Sequence, residues 1–237
     1  MSKHNIWMSV SDLMTGLMVI FLFVAVAYMI EVQKNQNVLT DYVDTKQQLH
    51  DKLVNEFAKD TALWQMQVGK DLSMKFNNPQ VLFASGQYQL TDSFKAILDN
   101  FIPRYLNILL KDTALHNRIQ EIRIEGHTDS IRAIAFGVDP FMSNIMLSQR
   151  RSYSVLEYIR NMPTYQEFTD EQRTKLEFWF TSNGLSYGKS IDENGEYTAK
   201  SGKPIDSEKS RRVEFRIVTT GDEVLENFVK ENSKFIP

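Results

Sequence analysis

Cysteine is absent from the 237 residues, so disulfides are excluded and the redox state of the protein's compartment leaves no trace. Net charge is only −3, so no affinity for nucleic acid is implied. Tandem repeats and low-complexity tracts are missing. Histidine occurs four times, never in ligand spacing, and neither a metal site nor a cofactor is expected. Neither Ser130 nor Ser148 sits in a nucleophile elbow, and no His/Asp pair is spaced to argue for a triad, so an enzyme is not expected. Charge itself is missing over residues 13–30.

That uncharged run says most about the chain. Eighteen residues of helix rise about 27 Å, close to the roughly 30 Å hydrocarbon core of a bilayer. A transmembrane helix is predicted over residues 12–30, behind a short N-terminus, 1–11. Ala25-Val26-Ala27 would suit signal-peptide cleavage, but the apolar run continues through Tyr28, Met29 and Ile30, so an uncleaved anchor is expected. Lys3 and the terminal amine lie on one side, Glu31 and Lys34 on the other, which puts the N-terminus in the cytoplasm. Asp12 stands at the head of the run. A carboxylate there costs a few kcal/mol on insertion and is a functional candidate, because it can bind and release a cation. Aspartate is also a favoured N-cap, and Ser9 and Ser11 lie beside it; the residues alone leave both readings open. Thr15 follows one turn later on the same face, as a second cation ligand or as plain helix filler. No dense oxygen cluster accompanies the pair, so a proton is expected rather than sodium.

Residues 31–75 contain no proline and one glycine, Gly69. Leu39, Tyr42, Leu49, Leu53, Phe57 and Trp64 recur close to heptad spacing, with Lys46 interrupting. A helical stalk is predicted, either paired in a parallel dimer or packed as an amphipathic helix on its own domain. Residues 76–237 have the length of one domain. Their pattern predicts strands at 80–84, 121–125, 178–181 and 212–218, helices at 91–110 and 147–162, a turn at 192–195 and a C-terminal helix. Thr91 suits an N-cap and Pro103 a kink. Such alternation describes a compact α/β (α+β) sandwich.

Gly126-His127-Thr128-Asp129 follows one of these strands, and the segment from Asn144 to Arg151 opens a helix. Alone, Asp129 reads as an ordinary loop acid and Ser148-Gln149-Arg150-Arg151 as a solvated helix start. With Arg211-Arg212-Val213-Glu214 as a third motif in order, the region from about 80 to 219 resembles the OmpA-like peptidoglycan-binding family. The resemblance implies that Asp129 and Arg151 grip the diaminopimelate of the peptide stem. It also implies that Thr128, Asn144 and Leu147 shape the pocket and that Arg212 flanks it. An acid for an ammonium and an arginine fork for a carboxylate suit a zwitterion. Ser152 replaces the family's usual alanine, Ser210 its asparagine, and residues 130–143 lack its early glycine.

Ser11-Asp12-Leu13-Met14-Thr15-Gly16-Leu17-Met18, followed by Phe21-Leu22, resembles the transmembrane signature of the B subunit of flagellar stators. This second resemblance implies that Asp12 carries the ion and that a homodimer sits within a ring of membrane-embedded A subunits, expected as a pentamer. One helix cannot make an ion path alone, and an ionisable membrane residue normally faces a protein interior. The compact stalk, with residues 31–42 polar rather than plug-like, makes the chain more similar to B subunits of Zorya anti-phage defence motors. The expectation is a peptidoglycan-anchored, single-pass inner-membrane motor subunit with a periplasmic domain. A flagellar stator subunit, or a passive envelope tether in which Asp12 is merely a cap, is the alternative.

Overall fold

The computed structural model describes residues 3–131 and 139–222. It divides into two units, one reaching Asp44 and the other beginning at Thr45. Helix α1, Lys3–Phe57, supplies all of the described first unit. Within it Val10–Lys34 is long and apolar enough to cross a membrane, with mean hydropathy 2.5 and nothing buried. Side chains are exposed all round this stretch, as expected of a helix whose surroundings are lipid or other proteins.

The helix expected over 31–75 ends at Phe57; a turn segment follows, and residues 66–68 and 73–76 are strands of the second unit's sheet. Arg104 closes that end. Its Nη2 donates to the carbonyl of Glu56 at 2.5 Å, its Nε to the Glu56 carboxylate at 2.7 Å and its Nη1 to Asp60 at 2.8 Å. A guanidinium there satisfies a last-turn carbonyl that the helix itself leaves open. Leu49, Leu53 and Phe57 are fully buried in the core of their own domain, so at these positions the heptad-like spacing marks an intramolecular face. The side chain of Leu39 and the expected C-terminal helix lie outside the described residues.

Strand β1, Met66–Val68, turns back into β2, Ser73–Phe76, by a hairpin in which Leu72 takes a positive φ of 60°. The strand expected at 80–84 is instead a single helical turn, α2, Pro79–Leu82. Pro79 presets the first helical φ and the Asn78 side chain accepts from Val81 N, so the backbone curls where apolar content alone suggested extension. Helix α3, Asp92–Lys111, opens on the expected Thr91 cap and absorbs Pro103. After α4, Thr113–His116, comes β3, Ile119–Gly126. Helix α5, Pro140–Asn161, starts well before residue 147 because Asp139 caps it and Pro140 begins it. Then come α6, Pro163–Gln166, and α7, Asp170–Trp179, with a Thr169/Gln172 capping box. Strand β4, Phe180–Gly184, begins later than expected, since Phe178 and Trp179 complete α7. The expected turn at 192–195 is present, with Gly195 at φ +80°. Short helices α8, Thr198–Ser201, and α9, Ser207–Ser210, lead into β5, Val213–Thr219.

The sheet runs β1-β2-β5-β3-β4, antiparallel except for the parallel pair β3/β4. Helices α5 and α7 pack on β3, and α5 also on β4. Phe101 of α3 sits 5.1 Å from Phe57 and 5.2 Å from both Phe76 and Phe215, and stacks on Tyr105. One aromatic thus joins α1, α3, β2 and β5. The result is a mixed α/β sheet domain in which β3 and the helix α5 packed on it carry the residues considered next.

Candidate functional site

Two glycines bring α5 against the sheet. A Cβ on Gly126 would lie 2.3 Å from the carbonyl oxygen of Ser148, and one on Gly184 would lie 2.4 Å from the backbone nitrogen of Gln149. Only hydrogen fits at either place, so β3 and β4 meet the backbone of α5 directly. Gln149 then bridges the seam, donating to Ser182 O at 3.1 Å and accepting from Gly184 N at 2.7 Å. Ser148 Oγ accepts from Ser186 N at 3.0 Å, and Thr128 N donates to Ser186 O at 3.0 Å. The loop after β3 and the first turns of α5 are therefore held side by side.

Between them opens a cleft of about 830 Å³, lined by Thr128, Asp129, Asn144, Leu147, Arg151, Arg211 and Arg212 among others. All six residues expected to bind the cell wall thus line one cavity. They do different work. Asn144 donates to the carbonyls of Ile131 and Pro140 at 2.9 and 3.0 Å, so its amide secures the backbone around the cleft. Leu147 adds an apolar wall. Thr128 Oγ1 is buried with no hydrogen-bond partner among the described residues. Asp129 is 4 % exposed; its Oδ1 accepts from Ile131 N at 3.0 Å and its Oδ2 faces Arg211 Nη1 at 3.3 Å.

Arg151 donates Nε to the carbonyl of Gln87 at 2.9 Å, and its guanidinium lies 4.8 Å over the ring of Phe83. Both partners come from the segment around α2, whose part in the site had no signal in the sequence beyond Pro79 and Gly86. Burial, with Arg211 nearby, pulls Arg151 down to about 10, and Asp129 opposes that shift. It remains a cation at neutral pH, and one that gains from any anion placed beside it.

Arg212 borders the cleft with its guanidinium paired to Glu214. It is 2 % exposed and turned into the fold, donating Nε to Glu214 at 2.5 Å and further bonds to Ser210 O and Lys189 O. The arginine that reaches Asp129 is its neighbour Arg211. Behind Arg212, His127 Nε2 lies 3.5 Å from Glu125 and 3.6 Å from Glu214, with their ligand atoms all within 4.8 Å of one another. Local spacing gave no hint of this cluster, because Glu214 arrives from β5. Arg216 meets Glu214 at 2.9 Å and Glu125 at 3.4 Å. Arg212 and Arg216 thus already supply counter-charge to both carboxylates, and Arg216 also pairs with Asp71 at 2.6 Å. Burial holds His127 below its ordinary 6.5 despite the pull of both acids, so it is neutral at pH 7.

A protein from Escherichia coli (strain ATCC 8739, Crooks), Zorya protein ZorB, is 36% identical over 234 residues, covering 95% of this chain and 92% of the relative. The chain belongs to the ZorB family. No family model matches it. Similar solved structures include the periplasmic domain of Helicobacter pylori MotB (18% identity, 70% of this chain and 87% of that one, TM-score 0.39). Another is the OmpA-like domain of FopA1 from Francisella tularensis (15% identity, 65% and 81%, TM-score 0.36). In this ZorB-family chain Asp12 is no cap. The helix begins at Lys3, which places Asp12 more than two turns inside, with its backbone within the helical ladder. Thr15 lies one turn further on, its hydroxyl donating to Ser11 O at 2.8 Å.

Proposed function

We propose that the protein is the wall-anchored B subunit of an ion-driven inner-membrane motor that serves Zorya-type anti-phage defence. The observation that carries this reading is Asp12, a carboxylate inside α1 at the head of an apolar span, in a chain of the ZorB family. As a cap the acid would be incidental. Inside the helix it must either face protein or lose its charge, and a cation relay uses both states.

Asp12 takes up and releases the cation, a proton, with Thr15 beside it. Two such helices form a homodimer within a pentameric ring of A subunits, which completes the path. Each charge crossing 100 mV supplies about 2.3 kcal/mol. That energy turns the ring only if the B subunit is held still. The cleft provides the hold: Asp129 receives the ammonium of diaminopimelate and Arg151 its carboxylate, while Thr128, Leu147 and the loop secured by Asn144 enclose them. The N-terminus is cytoplasmic and the sheet domain periplasmic. The chain's own chemistry is binding and transduction rather than catalysis.

Phage plating on cells carrying the native operon tests both halves. Asp12→Asn and Arg151→Ala should each abolish protection at wild-type protein levels. Full protection with Asp12→Asn would return the membrane acid to a passive role.

A further inference from the structure

The cleft holds more positive charge than one zwitterion needs. Arg151 and Arg211 both line it, whereas Asp129 is its one acid among the described lining residues. Arg212, although it borders the same cavity, is matched by Glu214.

Arg211 is held loosely. Its contact with Asp129 is 3.3 Å, long beside the 2.7–2.9 Å usual for an ammonium-type donor on a carboxylate. Its Nε is buried with no hydrogen-bond partner among the described residues. About a third of the side chain is exposed, so it has room to swing. The carboxylate it contacts is the one that the wall-binding reading gives to the ligand's ammonium. A ligand that takes Asp129 therefore frees Arg211 as well, and leaves two guanidiniums beside one ammonium. Charge balance then calls for two carboxylates on the ligand.

We propose that Arg211 is a specificity-determining residue: it pairs with Asp129 until an ammonium takes that acid, and then receives a second free carboxylate of the peptide stem. The cleft thereby selects stems whose carboxylates are not amidated. This rests on the wall-binding reading and adds to it a rule about which peptidoglycan is held.

The test uses the detergent-solubilised full chain and tetrapeptide muropeptides amidated singly at the glutamate, at the terminal alanine or at the free end of diaminopimelate, beside the unamidated form. Wild type should lose about ten-fold in affinity on amidation at the diaminopimelate end, and about ten-fold on amidation at one of the other two carboxylates. Arg211→Gln should lose the second sensitivity and keep the first, Arg211→Lys should retain both, and Arg151→Gln should lose the first. The proposal is overturned if wild type ignores amidation at the glutamate and at the terminal alanine, a result that needs no variant to fold. It is overturned equally if Arg211→Gln keeps every sensitivity of wild type. Failure of wild type to bind any muropeptide would overturn the wall-binding reading itself.

Discussion

Adding one methyl group at Gly126 should damage both the fold and the cleft. Its Cβ would stand 2.3 Å from the Ser148 carbonyl oxygen, where ordinary contact begins near 3.4 Å, so the backbones must part by about 1 Å. The obstruction is backbone, which cannot rotate aside as a side chain can. Overpacking of this kind costs about 1–3 kcal/mol, a drop of roughly 2–12 °C in melting temperature for a domain of this size. The same displacement carries Arg151 and Asn144 on α5 away from Thr128 and Asp129, and a site shifted by that much loses its alignment. Circular dichroism melting of the full chain in detergent reads the first effect, and co-sedimentation with purified sacculi reads the second. Gly184→Ala should behave alike, since its Cβ would meet Gln149 N at 2.4 Å on the same helix. The double variant should cost less than the sum, because one movement of α5 relieves both clashes. Gly195→Ala is the control: its φ of +80° strains an alanine, yet its surroundings are open and it lies away from the cleft. That change should lower stability by about 1 kcal/mol and leave sacculus binding intact. If Gly126→Ala kept both melting temperature and sacculus binding, the close seam would not be what aligns the cleft.

Phe101→Ala should destabilise the sheet domain by about 3–5 kcal/mol, since it empties the one position touching Phe57, Phe76, Tyr105 and Phe215; urea unfolding followed by fluorescence measures it. Stability should also fall as pH drops below about 6.5. Burial keeps His127 neutral in the folded chain, while the unfolded chain takes up that proton, so protons favour unfolding in this window. Melting temperatures of wild type and His127→Gln between pH 7.5 and 5.5 should converge toward the acid end, because the variant lacks this titration.

Where local chemistry decided the structure, the sequence was readable. The Thr91 cap and the spacing of Phe94, Leu98, Phe101 and Tyr105 define α3 almost to the residue. Alternation marks β3 and β5, and their glycine-led and arginine-led ends mark the cleft. Other features depended on what each segment meets in space. Leu49, Leu53 and Phe57 recur as a coiled-coil seam would, and a partner helix and the chain's own sheet ask for the same apolar residues at the same spacing. The segment 80–84 is apolar enough for a strand, but Pro79 and the Asn78 side chain curl it, and its value lies in presenting Phe83 and Gln87 to Arg151. Which of Arg211 and Arg212 faces the cleft depends on how the chain approaches β5, and adjacent identical residues carry no label for that. The Glu125–His127–Glu214 cluster joins residues from separate strands and is invisible in one dimension.

The last turns of α1 have a mechanical consequence. Any pull that reaches the sheet domain from the N-terminal side arrives through Leu49, Leu53 and Phe57, all fully buried, and through the turn that Arg104 fastens to Glu56 and Asp60. A terminal strand under tension can be unzipped one hydrogen bond at a time. A helix rooted among aromatic rings must break its whole seam at once, so the domain meets load at one of its toughest points. The last turns of α1 are built as a tang set in a handle, and yielding there means losing the core.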